Sequence, residues 1–305
     1  MNSLATLDRR RFLLTALGAV TALRRASGSP ASLFNPNQLD FHYHGGLERD
    51  EKLSIDEWID MGVAMGRRCF LLVDHLELYR PEPYKKYIKH PRYPSGAEGH
   101  REFLKEVDHA RKRRDVLIFS GWEVIEDEIE TGLDWEALRL VEAIGWHIKR
   151  HNGHELVRRI RAIQEVQKQL PVPMILYHPF SRAGTKPESS EGRSINDLRC
   201  LSSDVQKQMI DLLGDSSLHL EINLSWVFDY RWRDRKMREA LIEDIRPLAE
   251  AGLPFTVGSD DHRVEDQSRE HNADQLCAAF GIRSRQVNRI VGELLAQRAI
   301  SGLVP

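Results

Sequence analysis

Short apolar runs alternate with amphipathic stretches along most of this chain. The runs are Leu39 to His44, Cys69 to Val73, Val116 to Phe119, Ala143 to Ile148, Pro173 to Tyr177, Leu218 to Leu224 and Pro254 to Val257. Each has the length of a buried strand, roughly four to eight residues, rather than that of a helix. Between them, Ser54 to about Gly66, Gly96 to Arg113, Trp135 to Val141, Gly153 to Leu170, Ser203 to Leu213 and Arg235 to Ala251 read as helices, Ser54 serving as an N-cap; a last helix spans roughly Ser284 to Ala299. Strands that alternate with helices imply right-handed crossovers and parallel pairing. Strands apolar on both faces suit a sheet covered on both sides. A seven-stranded β/α barrel accommodates the chain, which has 305 residues. An open doubly wound sheet is the rival. Its dinucleotide-binding version is unsupported, because no Gly-rich phosphate loop follows the first strand.

Metal-type residues mark the ends of these runs: His42 and His44, His75, Glu123, His147, His178, then Asp260 and His262. Each except His147 follows or ends an apolar run, and each precedes a loop. Drawing a site from the ends of many strands is how a β/α barrel builds its chemistry. Imidazole and carboxylate together suit divalent transition metals, so the pattern points to a multi-metal hydrolase.

In Asp40-Phe41-His42-Tyr43-His44, residues two apart share a face of a strand. Both imidazoles can converge on one ion while Phe41 and Tyr43 pack behind, and Asp40 is placed to orient an imidazole. Gly258-Ser259-Asp260-Asp261-His262 repeats the device at the last strand, the neighbour of the first in a closed barrel. Helix capping by Asp260 or Asp261 is the bland alternative. Between these pairs lie Val73-Asp74-His75, Gly121-Trp122-Glu123, Gly145-Trp146-His147 and Tyr177-His178-Pro179.

This order resembles the motif series of the PHP (polymerase and histidinol phosphatase) superfamily: Asp-x-His-x-His, Asp-His, Gly-x-Glu, Gly-x-x-His, His-Pro and Gly-Ser-Asp-x-His. The likeness runs from about Asp40 to Arg263. It implies a distorted seven-stranded barrel (the PHP fold) and phosphoester hydrolysis by a metal-activated water. By the resemblance, His42, His44, Glu123 and Asp260 hold a first ion. Glu123 bridges to a second held by His147 and His178, and His75 and His262 hold a third. The family adds a further ligand five or six residues after the first pair, for which Asp50 is the first candidate and Glu48 the second. Two other departures are Gly45-Gly46, where the family often has Ser or Thr, and the shortened Gly-Trp-His motif at His147, for which His151 and His154 are the alternatives. Two or three ions of Mn, Fe or Zn are expected over Mg, because the set is rich in imidazole.

Glu123 and Asp260 are the expected catalytic carboxylates. Arg182 and Arg263 are the expected phosphate-gripping cations, being nearest the metal motifs. Lys85, Lys86, Lys89, Lys186, Arg231 and Arg233 supply further loop charge, and the loop from Tyr79 to His90 interleaves it with tyrosines. His90, His100, His109, His219 and His271 lack a strand-end setting and read as structural or surface residues. The expected substrate is a small phosphomonoester, such as a nucleotide or a sugar or amino-alcohol phosphate. The alternatives are an amidohydrolase-type enzyme acting on an amide or lactone, and a non-catalytic metal-binding module.

The first thirty-one residues differ from the rest. Arg9-Arg10-Arg11-Phe12-Leu13 precedes an apolar run that ends at Leu23, too short to span a bilayer, which takes about 20 residues. The charged start and apolar middle are those of an export signal, and the segment resembles a twin-arginine signal with Asp8 and Leu14 at its flanks. Small residues Ser29 and Ala31 offer a cleavage site, leaving 32–305 as one hydrolase domain with no membrane span. Cleavage removes five arginines and one aspartate, a charge of +4, so the net charge passes from −2 to −6. That balance argues against a nucleic-acid-coating protein. Partners are then a small phosphorylated substrate and the twin-arginine export machinery, and the location is periplasmic or otherwise exported. Cys69, Cys200 and Cys277 are far apart and show neither metal spacing nor a disulfide framework.

Overall fold

The computed structural model describes residues 33–50, 52–80, 92–148, 151–180, 192–226, 232, 234–264 and 272–301. Seven strands form one sheet: β1 Leu39–His44, β2 Cys69–Val73, β3 Leu117–Ile125, β4 Ala143–His147, β5 Met174–Tyr177, β6 Leu218–Asn223 and β7 Phe255–Gly258. They pair in sequential order and in parallel. The main helices are α1 Ile55–Ala64, α2 Ala97–Ala110, α3 Gly153–Gln169, α4 Ser203–Leu213, α5 Arg235–Glu250, α6 Ala273–Phe280 and α7 Arg289–Ser301. The result is a nearly closed, distorted (β/α)7 TIM-like barrel. No helix among the described residues is long and apolar enough to cross a membrane.

Local chemistry sets the elements. Ser54 caps α1 in a reciprocal box with Glu57, and Asn152 does the same for α3 with Glu155, so orphan N–H groups at each helix start are satisfied. Every residue of β1 is buried, yet its two faces differ. Tyr43 turns outward, stacks on Trp58 of α1 at 5.2 Å and donates to the Trp58 carbonyl at 2.6 Å. Asp40, His42 and His44 line the inside.

The barrel closes where β7 meets β1. The Asp260 N–H donates to the His42 carbonyl at 2.7 Å, and the His44 N–H to the Asp261 carbonyl at 3.3 Å. Side chains staple the same seam. Arg67 reaches Asp40 Oδ2 and Asp261 Oδ2, each at 2.8 Å, and Asp40 Oδ1 accepts the Ser259 N–H at 3.0 Å. Asp40 therefore fastens the seam and does not orient an imidazole; its neighbour Arg67 is a stronger partner than a ring nitrogen.

The amino-terminal ends of the strands are covered by α7. Arg298 donates to the Ile118 carbonyl and to Glu142 Oε1, each at 2.7 Å; Arg289 donates to the Ser216 carbonyl at 2.8 Å; Glu293 meets His219 at 2.9 Å. That leaves the carboxyl-terminal ends to carry the site. The helix expected from Ser284 to Ala299 is broken at Asn288, whose amide turns back to the Ser284 and Phe34 carbonyls, and α6 is an addition to the expected elements.

Candidate metal centre

Glu123 is the hub. It lies inside β3, fully buried, and its two oxygens face different histidines. Oε2 stands 3.1 Å from His42 Nε2 and 3.2 Å from both His44 Nε2 and His75 Nε2. Oε1 stands 2.7 Å from His147 Nδ1 and 4.0 Å from His178 Nε2. Asp260 Oδ1 completes the first set, 3.4 Å from both His42 Nε2 and His44 Nε2. Its other oxygen is 3.7 Å from His178 Nε2. A third set gathers on Glu48 Oε2, which is 3.1 Å from His262 Nε2 and 3.3 Å from both His75 Nε2 and His44 Nδ1.

Four groups of side chains thus hold their donor atoms close enough for a shared ion: His42, His44 and Glu123; His42, His178 and Asp260; His75, Glu123 and His147; and His44, Glu48, His75 and His262. Donors bound at about 2.0–2.2 Å with tetrahedral to octahedral angles stand about 2.8–3.6 Å apart, the spacing of the first and third sets. His44 Nδ1 is buried and faces Glu48 Oε2 at 3.3 Å without the geometry of a hydrogen bond. Polar atoms in that state ask for a cation or a proton. The residues fit divalent metal ions.

Electrostatics agree with the geometry. Burial works against ionisation of Glu123, yet the charges of His75 and His42 and the His147 and His42 contacts overcome it and hold its carboxyl well below the usual range. Asp260 is depressed in the same way, burial again opposing and His42 and His178 prevailing. Glu48 is lowered to about 2, burial being outweighed by His262, His75 and His44. The imidazoles answer in kind: against burial, Glu221, Asp260 and Glu123 raise His42, and Glu123, Glu77 and Glu48 raise His75. His178 goes the other way, lowered by burial.

The backbone is bent to present these groups. His178 and Asp260 are the non-glycine residues with positive φ among those described, at 56° and 62°. Such conformations are uncommon outside glycine and cluster at functional sites. For Asp260 this geometry also sets aside the helix-cap alternative. Glu48 is placed by a tight loop: the Gly45 N–H donates to the Val73 carbonyl at 2.9 Å and the Leu47 N–H to Asp74 Oδ2 at 2.5 Å. A Cβ on Gly46 would stand 2.0 Å from Asp74 Oδ2. A residue with a side chain has no room at Gly46, whereas a Cβ on Gly45 would only touch Leu72 at 3.4 Å.

The place expected for Asp50 is taken by Glu48. The Asp50 carboxylate instead accepts the Lys52 N–H at 3.1 Å, because the curl around Asp74 turns Glu48, not Asp50, back over His44. His147 joins Glu123 despite its shortened motif. Of its alternatives, His151 is spent on the Pro179 and Asn152 carbonyls at 2.8 and 3.0 Å, and His154 is exposed and lines a separate cleft at the starts of α3 and α4. His100 packs against Tyr79 and Trp122 and His219 pairs with Glu293, so both are structural, while His109 is an exposed surface residue that meets Asp56 at 3.2 Å. Arg263 is exposed beside His262. Arg182, Lys85, Lys86, Lys89, Lys186, Arg231, Arg233, His90, His271 and the segment 1–31 lie outside the described residues.

Three residues of the site carried no expectation. Glu77 Oε1 stands 3.0 Å from His75 Nδ1. Asn223 Nδ2 donates to Asp260 Oδ2 at 3.3 Å. Glu221 Oε1 stands 2.6 Å from His42 Nδ1. Glu221 sits in Leu-His-Leu-Glu-Ile-Asn, a strand buried throughout, where a single carboxylate offers no spacing to mark it in the sequence.

No family model matches the chain, and no curated protein matches it. Among solved structures it is similar to a chain of an archaeal ribonuclease P imaged with mature tRNA, at 13% identity over 84% of this chain and 86% of that one, with a TM-score of 0.43. It is also similar to a zinc-bound cog1816 amidohydrolase from Burkhoderia ambifaria, at 14% identity over 94% and 85% of the two chains, TM-score 0.41. A zinc-bound adenosine deaminase from Xanthomonas campestris follows at 10% identity over 88% and 62%, TM-score 0.37.

Proposed function

We propose that this chain is a metal-dependent phosphoesterase acting on a small phosphomonoester, such as a nucleotide or a sugar or amino-alcohol phosphate. The observation that carries the metal-hydrolase reading is the division of Glu123, one oxygen facing His42, His44 and His75, the other facing His147. A carboxylate so placed could serve metal ions on either side of it. The phosphoester reading rests on the PHP-like motif order from Asp40 to Arg263.

When bound, two or three divalent ions supply Lewis acidity toward a phosphoryl oxygen and lower the pKa of water. The chain's own residues do the rest. Glu123, Asp260 and Glu48 stay ionised against burial, so their charge is in place before substrate arrives. His178 and Asp260, fixed in left-handed backbone, keep their side chains turned toward the centre. Arg263, and Arg182 from the segment after His178, are the cations proposed to meet the phosphoryl oxygens.

The full chain, purified without chelator, should turn over phosphomonoesters in a broad panel that includes amides and lactones. Chelation should abolish that turnover. Amide or lactone hydrolysis without phosphatase activity would replace the reading with an amidohydrolase one, and bound metal without any turnover would leave a binding module. We also propose that residues 1–31 direct export by the twin-arginine route with cleavage near Ala31. That route carries folded proteins, so the site would be loaded in the cytoplasm before competing metals of higher affinity are met.

A further inference from the structure

We infer that Glu221 is a positioning residue that keys two metal-binding histidines at once, His42 of the first set and His178 of the second, and so sets the affinity of two ions while leaving the third alone. The inference rests on the proposed metal centre. Glu221 lies on β6, 1% exposed. Its Oε1 is 2.6 Å from His42 Nδ1, and its Oε2 accepts the His178 N–H at 2.8 Å.

Each contact does a separate task. A proton held between His42 Nδ1 and a carboxylate fixes the tautomer, so the Nε2 lone pair points at Glu123 and Asp260. The ring is held in that plane from the other side by Tyr177, stacked at 3.7 Å with a 16° tilt. The second contact pins the N–H of a residue at φ 56°, a conformation that the surrounding structure has to hold. The two donors come from β1 and from the end of β5, so one side chain ties together ligands from both halves of the barrel.

The packing is built around this carboxylate. A Cβ on Gly258 would stand 2.6 Å from Glu221 Oε1 and 2.4 Å from His42 Cβ. Glycine at that point of β7 is therefore what lets the pair meet. Only an acceptor at both ends serves, since both partners are N–H donors. A glutamine offers one oxygen and one NH2, and its NH2 must face a donor. The third set is reached by other carboxylates: His75 by Glu48, Glu77 and Glu123, and His262 by Glu48.

The test is a chelator titration of the zinc-loaded full chain, followed by native mass spectrometry, comparing wild type with Glu221→Gln and Glu221→Gln/Glu48→Gln. Loss of such an outer partner weakens metal binding about 10- to 100-fold. Glu221→Gln should release two ions at correspondingly lower chelator and retain one. The double variant should lose that one too. Release indistinguishable from wild type overturns the inference, and so does equal weakening of every ion, the mark of a merely structural role. A wild type that binds no zinc overturns the metal centre itself, a separate result. Should Glu221→Gln fail to fold, nitrogen NMR of the zinc-loaded wild type decides. His42 should be metallated on Nε2 with a protonated Nδ1, and metallation through Nδ1 overturns the inference.

Discussion

His42 Nε2 and His44 Nε2 face each other 3.1 Å apart in a fully buried setting. Two imidazole nitrogens do not approach so closely without a proton or a cation between them. Here a carboxylate oxygen of Glu123 and one of Asp260 flank the same spot, as donors around a cation would.

Glu123→Gln should therefore leave the fold intact while removing the charge whose two oxygens face His42, His44 and His75 on one side and His147 on the other. Turnover is expected to fall by about 10²- to 10³-fold, as when a preorganised electrostatic group is lost, with metal content reduced. Circular dichroism, elemental analysis and initial rates check this. Wild-type rate and metal content would show that Glu123 bridges nothing.

Gly46→Ala should act on one ion. Its Cβ would be driven into Asp74 Oδ2, 2.0 Å away, so the loop carrying Glu48 must move. The expected cost is about 1–3 kcal/mol of stability, as for other overpacking changes, together with loss of the ion nearest His262. Denaturant unfolding and metal counting read the two effects separately.

Arg67→Met should destabilise the protein by about 3–5 kcal/mol, because it leaves Asp40 and Asp261 buried without their counter-charge. Adding Asp40→Asn and Asp261→Asn removes those orphaned charges and should restore most of the loss. Equilibrium unfolding of the single and triple variants is the check.

The strand pattern was legible because buried parallel strands are nearly continuous apolar runs. Thus β1 and β2 match their expected bounds, Leu39–His44 and Cys69–Val73. The sequence reading stopped β3 at Phe119, since Ser120-Gly121-Trp122-Glu123 breaks an apolar run. In the fold the strand continues to Ile125, because its second half pairs with β4 while its first half pairs with β2. Tertiary pairing there overrides local preference. The histidines that end strands were legible too, each being a polar residue where an apolar run stops. Glu221 and Glu77 were not, since a single carboxylate in a run carries no spacing. The choice between Asp50 and Glu48 depended on how the chain curls around Asp74, a contact 27 residues away in sequence. The break at Asn288 likewise depended on Phe34, 254 residues distant.

Export should depend on Arg9 and Arg10. Replacing both with lysine is expected to leave active, metal-loaded precursor in the cytoplasm, while the wild type is found outside it and cleaved near Ala31. Fractionation of the two decides. An exported double variant, or an uncleaved cytoplasmic wild type, would contradict the expectation.

The most direct test of the metal centre is elemental analysis of the protein purified without chelator, paired with its phosphomonoesterase rate. The donor sets around Glu123 and Glu48 predict two or three ions of Mn, Fe or Zn per chain, with activity rising and falling with that content. Fewer than one ion per chain in fully active protein would contradict the account.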